Sequence, residues 1–170
     1  DVVVSFDQLE YVVSLRNDIL WQDGTPFNVD DVLFTIAMLS DADFMGDSEL
    51  GAFWQTVEAE RLGDYMLRFR LTQPLSSFLE ALRIGILPEH VLRGTPPSQL
   101  VSHPFNLDPI GTGPYQLEEI FVSSGQVTAV NLRASPTYIS RNNVDNNALG
   151  VERIRFQIYD TFDAVVSDLE

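Results

Sequence analysis

The sequence predicts an α/β fold: a mixed, largely antiparallel sheet built from hairpins, with helices flanking it. Three observations carry this. Residues 55–62 and 65–71 alternate apolar and polar side chains on either side of the two-residue turn Gly63-Asp64, as a hairpin does. Residues 115–122 and 126–133 repeat that pattern around Ser123, Ser124 and Gly125. Between strands lies an apolar stripe of helical period, Val29, Val32, Leu33 and Ile36. Hairpins with interspersed helices fit a mixed sheet better than a purely parallel one.

Taken in order, residues 2–6 and 11–16 read as strands joined through Asp7 and Gln8, with Tyr11, Val13 and Leu15 on one face of the second. Trp21 follows, then Asp23 and Gly24, a pair suited to the positive φ of a tight turn. Thr25 precedes Pro26 and is pushed toward an extended conformation. Asn28 is a good helix N-cap, Asp31 stands at the third helical position, and Phe27 can staple to Val32. Asp30 and Asp31 suit the positive end of the helix dipole, and the helix should end near Ser40 and Asp41.

In the first hairpin Tyr65, Leu67, Phe69 and Leu71 point inward, and Met66, Arg68 and Arg70 outward. Pro74 breaks the strand. Residues 76–82 read as a short helix with Phe78, Leu79 and Leu82 on one side, and 87–92 as another with Pro88 in its first turn. Residues 95–107 are proline-punctuated loop, with one helical turn at 98–101. The polar, asparagine-rich stretch 135–150 is long enough for mobility. The last strand, 153–159, turns Ile154, Phe156 and Ile158 inward, and Thr161 caps a helix carrying Phe162, Val165, Val166 and Leu169. That helix runs to the last residue without a stop signal, and the chain opens on Asp1 inside an apolar run without signal peptide. Both ends read as those of a piece cut from a longer protein.

Composition narrows the function. The chain has 170 residues, the size of one ordinary domain, and carries a net charge of −15, with arginine as its only basic residue type besides two histidines. Nucleic acid and anionic membranes are poor partners for such a surface; a solvated, self-repelling exterior is its ordinary meaning. The absence of cysteine removes disulfides, thiolate metal sites and cysteine nucleophiles. No apolar run reaches the roughly 18 residues of a membrane-spanning helix.

The chemistry-bearing motifs are sparse. Gly111, Thr112, Gly113 and Pro114 lack the Lys-Ser/Thr of a phosphate loop and the third glycine of a dinucleotide turn, and read as a tight structural turn. Asp41, Asp43, Gly46, Asp47 and Glu49 follow a calcium-loop spacing, but Met45 and Ala52 occupy two ligand positions, which leaves an exposed acidic loop. His90 and His103 have no metal-ligand spacing. No Gly-x-Ser-x-Gly elbow is present, and among 25 acidic residues no pair stands out, so no catalytic residue is assigned. Phe44, Met45, Phe53 and Trp54 form an apolar cluster that is either core packing or one wall of a ligand cleft.

Five pieces stand in one order: Leu15-Arg16, Trp21, Asp23-Gly24, Pro26-Phe27 and Asp30-Asp31-Val32; Leu87-Pro88-Glu89-His90; Pro109-Ile110-Gly111-Thr112-Gly113-Pro114-Tyr115; Ser135-Pro136-Thr137-Tyr138; and the closing strand and helix over 151–170. Together they resemble the large extracellular solute-binding proteins, family 5, of bacterial ABC importers, which carry peptides and nickel. The departure is 140–149, where relatives usually have a shorter turn. The resemblance implies part of the first lobe of a type II periplasmic-binding-protein-like fold, with a hairpin and helix subdomain at 1–107 and a sheet subdomain at 108–170 leading to an absent second lobe. It implies capture of oligopeptides or dipeptides outside the cytoplasm by hinge closure, ABC permease subunits as partners, no cofactor, and a periplasmic or lipid-anchored location. Phe44, Met45 and Trp54 become the ligand-facing residues, and Trp21, Asp23, Gly24, Pro26, Gly111, Gly113 and Tyr115 a structural motif. Within the class, nickel chelates or oligosaccharides are the other cargo; outside it stand a secreted acidic hydrolase and a module binding through an exposed strand edge.

Overall fold

The computed structural model describes residues 1–140 and 150–169, which divide into two compact units. One comprises Asp1–Ile19 and Pro26–Asn106; the other comprises Leu20–Thr25 and Leu107–Glu170. Every described strand pair is antiparallel.

The first unit opens with β1 (Val2–Val4) and β2 (Glu10–Ser14). β1 stops before Phe6 because Asp7 gathers a turn: its carboxylate accepts the Ser5 hydroxyl and the Leu9 N–H, and Gln8 takes a left-handed φ of 58°. Helix α1 (Val29–Ser40) starts as its cap dictates. Asn28 Oδ1 accepts the Asp30 N–H at 2.6 Å, and the Asp31 carboxylate accepts the Asn28 N–H at 3.0 Å. Val29, Val32, Ile36, Met38 and Leu39 are buried, so the apolar stripe faces the core.

Helix α2 (Ser48–Trp54) is absent from the sequence reading, because seven residues with Gly51 in the middle show too little periodicity. Its signal is Asp47, whose Oδ1 accepts the N–H groups of Glu49 and Leu50. Gly51 suits the close approach of α2 to α1: a Cβ there would lie 3.1 Å from the Leu39 carbonyl oxygen, tighter than an ordinary contact.

Strands β3 (Val57–Gly63) and β4 (Met66–Leu71) form the first hairpin. Its loop is Asp64-Tyr65, one residue beyond the expected Gly63-Asp64, because Gly63 pairs with Met66 and an irregularity between Arg61 and Gly63 absorbs the shift. β2 joins β4 with Tyr11 opposite Phe69 and Val13 opposite Leu67, giving the sheet order β1-β2-β4-β3. One face is the core: Tyr11 meets Phe78 at 4.6 Å between centroids, Phe78 meets Phe69 at 5.5 Å, and Trp54 lies 6.0 Å from Phe69. Each of these rings is buried, which contributes roughly 1.5–3 kcal/mol per side chain. The other face carries an ion-pair ladder in which Arg70 and Arg68 on β4 reach Glu10 on β2 and Glu60 on β3.

Past the hairpin, α3 (Phe78–Ala81) is one turn instead of the expected 76–82. Phe78 is buried and Leu82 half-buried, but Leu79, one residue round the helix, is exposed. Helix α4 (Glu89–Leu92) is pinned to α1 by two buried side chains. The Glu89 N–H donates to Asp31 Oδ1 at 2.9 Å, and the Leu87 N–H donates to Thr35 Oγ1 at 2.8 Å. Pro88, buried between them, has no N–H to satisfy. Two 3₁₀ turns follow, Pro97–Ser102 and Pro104–Asn106, the first over the expected helical turn.

The second unit is a three-stranded meander, β5 (Tyr115–Ser123), β6 (Gln126–Ala134) and β7 (Arg153–Gln157), with α5 (Pro136–Ile139) after β6 and α6 (Phe162–Leu169) after β7. Ser124 and Gly125, both at positive φ, close the β5–β6 hairpin, whose twist favours that turn. Phe156, on β7, and Ile158, just after it, both expected inward, are 55% and 50% exposed: alternation along a strand tells its two faces apart but does not say which of them is covered. Thr161 Oγ1 accepts the Ala164 N–H, as its capping role requires, while Phe162 and Val166 are exposed. The mobility expected of 135–150 falls mostly on 141–149, which lie outside the described residues.

Candidate functional site

Two local constructions hold the residues singled out in the sequence, one in each unit. In the second unit, Trp21 to Thr25 form a closed turn: the Trp21 N–H donates to Thr25 O, and the Gly24 N–H donates back to Trp21 O. Asp23 Oδ1 accepts the Thr25 N–H at 2.9 Å, and Gly24 sits at φ 91°, where a side chain would be strained. Trp21 is buried.

Gln22, which no motif flagged, joins this turn to the Pro109–Tyr115 segment. Its backbone N–H donates to Gly111 O at 3.0 Å, and its Oε1 accepts the Gly111 N–H at 2.8 Å. Its Nε2 donates to Tyr115 O at 2.8 Å and, more weakly, to Gly113 O at 3.4 Å. Neither Gly111 nor Gly113 has a positive φ, and a Cβ at either would meet nothing closer than 3.8 Å. What the segment supplies is backbone N–H and carbonyl groups for Gln22 to grip. Tyr115 then anchors its far end, donating its hydroxyl to Val151 O at 2.9 Å. Pro26 lies in the first unit and is exposed. The only trace Gln22 leaves in the sequence is an amide side chain inside a turn.

In the first unit, the loop between α1 and α2 carries Phe44 and Met45. Met45 is 69% exposed and Phe44 half-buried, whereas Trp54 is 1% exposed and sits in the aromatic core. The Phe44 ring folds back over the loop: a Cβ on Gly46 would lie 2.3 Å from its Cζ. Beside the ring is a hollow of about 170 Å³ lined by Asp41, Ala42, Phe44, Ser48, Ala52 and Gln55. Gln55 closes the base of the loop by donating to Ser40 O at 3.0 Å. The loop carboxylates act as turn caps, Asp41 Oδ1 accepting the Asp43 N–H and Asp47 capping α2. Among the described residues, no group of three or more His, Cys, Asp or Glu side chains could hold a metal ion. The loop can offer an apolar, polarisable contact and a small half-polar recess, on a base fixed by two capped helices.

Comparison with known proteins gives these two constructions a setting. Residues 1–170 match the family described as bacterial extracellular solute-binding proteins, family 5 Middle. The chain is 33% identical over 115 residues to the oligopeptide-binding protein AppA of Bacillus subtilis, covering 65% of this chain and 21% of that protein. The solved structure of the same AppA with a nonapeptide aligns over 99% of this chain and 32% of its own, with a TM-score of 0.82 at 24% identity. NikZ from Campylobacter jejuni, solved with Ni(L-His), aligns over 99% of this chain and 31% of its own, with a TM-score of 0.78 at 28% identity. The chain thus spans between a fifth and a third of the length of these relatives, and its fold is that of type II periplasmic binding proteins.

Proposed function

This chain belongs to the bacterial extracellular solute-binding proteins of family 5, and from that premise we propose that it forms part of the substrate-binding component of an ABC importer that captures oligopeptides or dipeptides outside the cytoplasm. The observation that carries the cargo class is the 33% identity to an oligopeptide-binding protein, within a family match over every residue. The chain is a partial lobe; the whole protein closes a second lobe over the cargo and delivers it to permease subunits, either free in a periplasm or held by a lipid anchor. Family 5 proteins bind for transport, and no bond chemistry is asked of this chain.

The roles follow the two constructions. Phe44 and Met45 contact cargo side chains without hydrogen-bond demands, a contact that tolerates variety. Trp54 serves the same wall from beneath, as the buried foot of α2. Trp21, Asp23, Gly24, Gly111, Gly113 and Tyr115 serve as the structural frame of the turn that leads into β5, and Pro26, in the first unit, sets the extended approach to α1.

The test is calorimetry on the longer protein that contains this chain, against di- to nonapeptides, with Ni²⁺–histidine and mannose oligosaccharides alongside. Saturable peptide binding supports the reading; response only to the metal chelate or the sugars reassigns the cargo. Tight peptide binding by these 170 residues alone would overturn the partial-lobe reading.

A further inference from the structure

The polar face of the β5-β6-β7 sheet breaks a pattern that holds in the rest of the described chain. Every other arginine among the described residues reaches a carboxylate, but Arg133 on β6 and Arg155 on β7 reach none. Each instead donates its Nε and Nη2 to a neutral amide oxygen. Arg155 donates to Gln157 Oε1 at 3.2 and 3.1 Å. Arg133 donates to the Gln116 oxygen at 3.1 and 2.7 Å, in the amide orientation that those two donors require. The Arg155 guanidinium also lies 4.8 Å from the centre of the Phe121 ring.

These contacts fix two guanidiniums without neutralising them. A guanidinium already held in place loses less freedom on pairing, and its Nη1–Nη2 edge remains for a bidentate carboxylate. Arg153, directly opposite Arg133, is the third cation of the face and is taken by Glu118.

The register sets the spacing. Arg133 is bonded within the cross-strand row Gln116, Arg133 and Arg153, and Arg155 leans onto the row Phe121, Ala129 and Gln157. Those rows are four residues apart on β6, on the order of 13 Å. A single phosphate or carboxylate cannot span that distance, whereas an extended chain with acids at i and i+4 does. The row between them pairs Asn131 with the exposed Glu119, which repels an acid at i+2. A membrane surface or other broad polyanion would also meet the rest of a chain of net charge −15.

We propose that this face docks an extended acidic peptide segment of a partner protein, with carboxylates at i and i+4 on Arg133 and Arg155 and an uncharged residue at i+2. The site is separate from peptide capture and does not depend on the cargo.

The test uses the longer protein that contains this chain, labelled with ¹⁵N-arginine so that the bonded Nε–H groups report. Arg133→Gln and Arg155→Gln identify the two peaks. Ac-Glu-Thr-Thr-Thr-Glu-NH₂ should shift both saturably, and each variant should lower its affinity about fivefold, the worth of one exposed ion pair. Ac-Glu-Thr-Glu-Thr-Glu-NH₂ should bind more weakly, although it carries more charge. Three results would each overturn the proposal. They are peaks that the first peptide does not move, tighter binding of the three-glutamate peptide, and the same shifts from inorganic phosphate or phosphatidylserine vesicles. Binding in a cargo cleft alone leaves both peaks in place, so the outcome is separate from the importer reading. Once the peaks are identified, the comparison of peptides is made on the unsubstituted protein.

Discussion

Gln22 and Gly111, 89 positions apart in sequence, exchange two hydrogen bonds: backbone N–H to carbonyl at 3.0 Å and amide Oε1 from N–H at 2.8 Å. With the third bond, from Gln22 Nε2 to Tyr115 O, one side chain holds both ends of the turn that leads into β5.

Gln22→Ala leaves the Gly111 N–H and the Tyr115 carbonyl without these partners at a part-buried site. The expected loss is about 1–3 kcal/mol in chemical denaturation. Faster hydrogen exchange at the Gly111 amide, with the first unit unchanged, places the effect; wild-type exchange there would remove Gln22 from this role.

Asp31 caps its own helix and accepts the first N–H of α4. Asp31→Ala abandons both donors, so it should cost on the order of 2 kcal/mol, about one cap at each helix. Thr35→Val deletes the acceptor for the Leu87 N–H and the hydroxyl donor to the Asp31 carbonyl, which keeps its helical N–H partner, so it should cost less. Urea unfolding of the two variants checks that order.

Gly46→Ala meets the far edge of the Phe44 ring at 2.3 Å, and a ring edge can swing away where backbone cannot. Stability should therefore change little. In the longer protein, peptide affinity should fall by about tenfold, some 1.4 kcal/mol, as Phe44 leaves its place. Unchanged affinity with a displaced ring would show that Phe44 does not touch cargo.

Hydrogen bonding from Arg70 holds the Glu10 carboxyl below the ordinary glutamate range, with Arg68 adding to the effect. A carboxyl lowered by folding stabilises the fold fully above its unfolded value, near pH 4.5, and loses that contribution as pH falls through the lower folded value. The stability difference between wild type and Arg70→Ala should therefore shrink on acidification from pH 6 to 3. The Glu10 carboxyl ¹³C titration midpoint should rise in the variant. The pair is solvent-exposed, so added salt should weaken the effect.

Much of the local structure was legible because local physics decides it. Asn28 and Asp31 announce the start of α1 by chemistry that acts within four residues, and the alternation of Leu67 and Phe69 with Arg68 and Arg70 needs only a sheet with one wet face. The order of Asp23-Gly24 and the Pro109–Tyr115 run likewise placed the chain in its family. The short helix α2 escaped because its stabilisation is tertiary: Gly51 lets it lie against Leu39, and Trp54 earns its burial from β4 and Phe78.

Pattern along the chain thus determined where strands and the main helix form and which family they serve, since periodicity and caps are properties of neighbouring residues. Only tertiary structure decided that Gln22 is the clamp and that Asp31 serves two helices. It also set Met45 in solvent and Trp54 in the core, and left the Trp54 N–H without an acceptor. The clamp, the shared cap and the burial of Trp54 depend on partners brought together across 15 to 93 positions, and a linear pattern carries no record of such meetings.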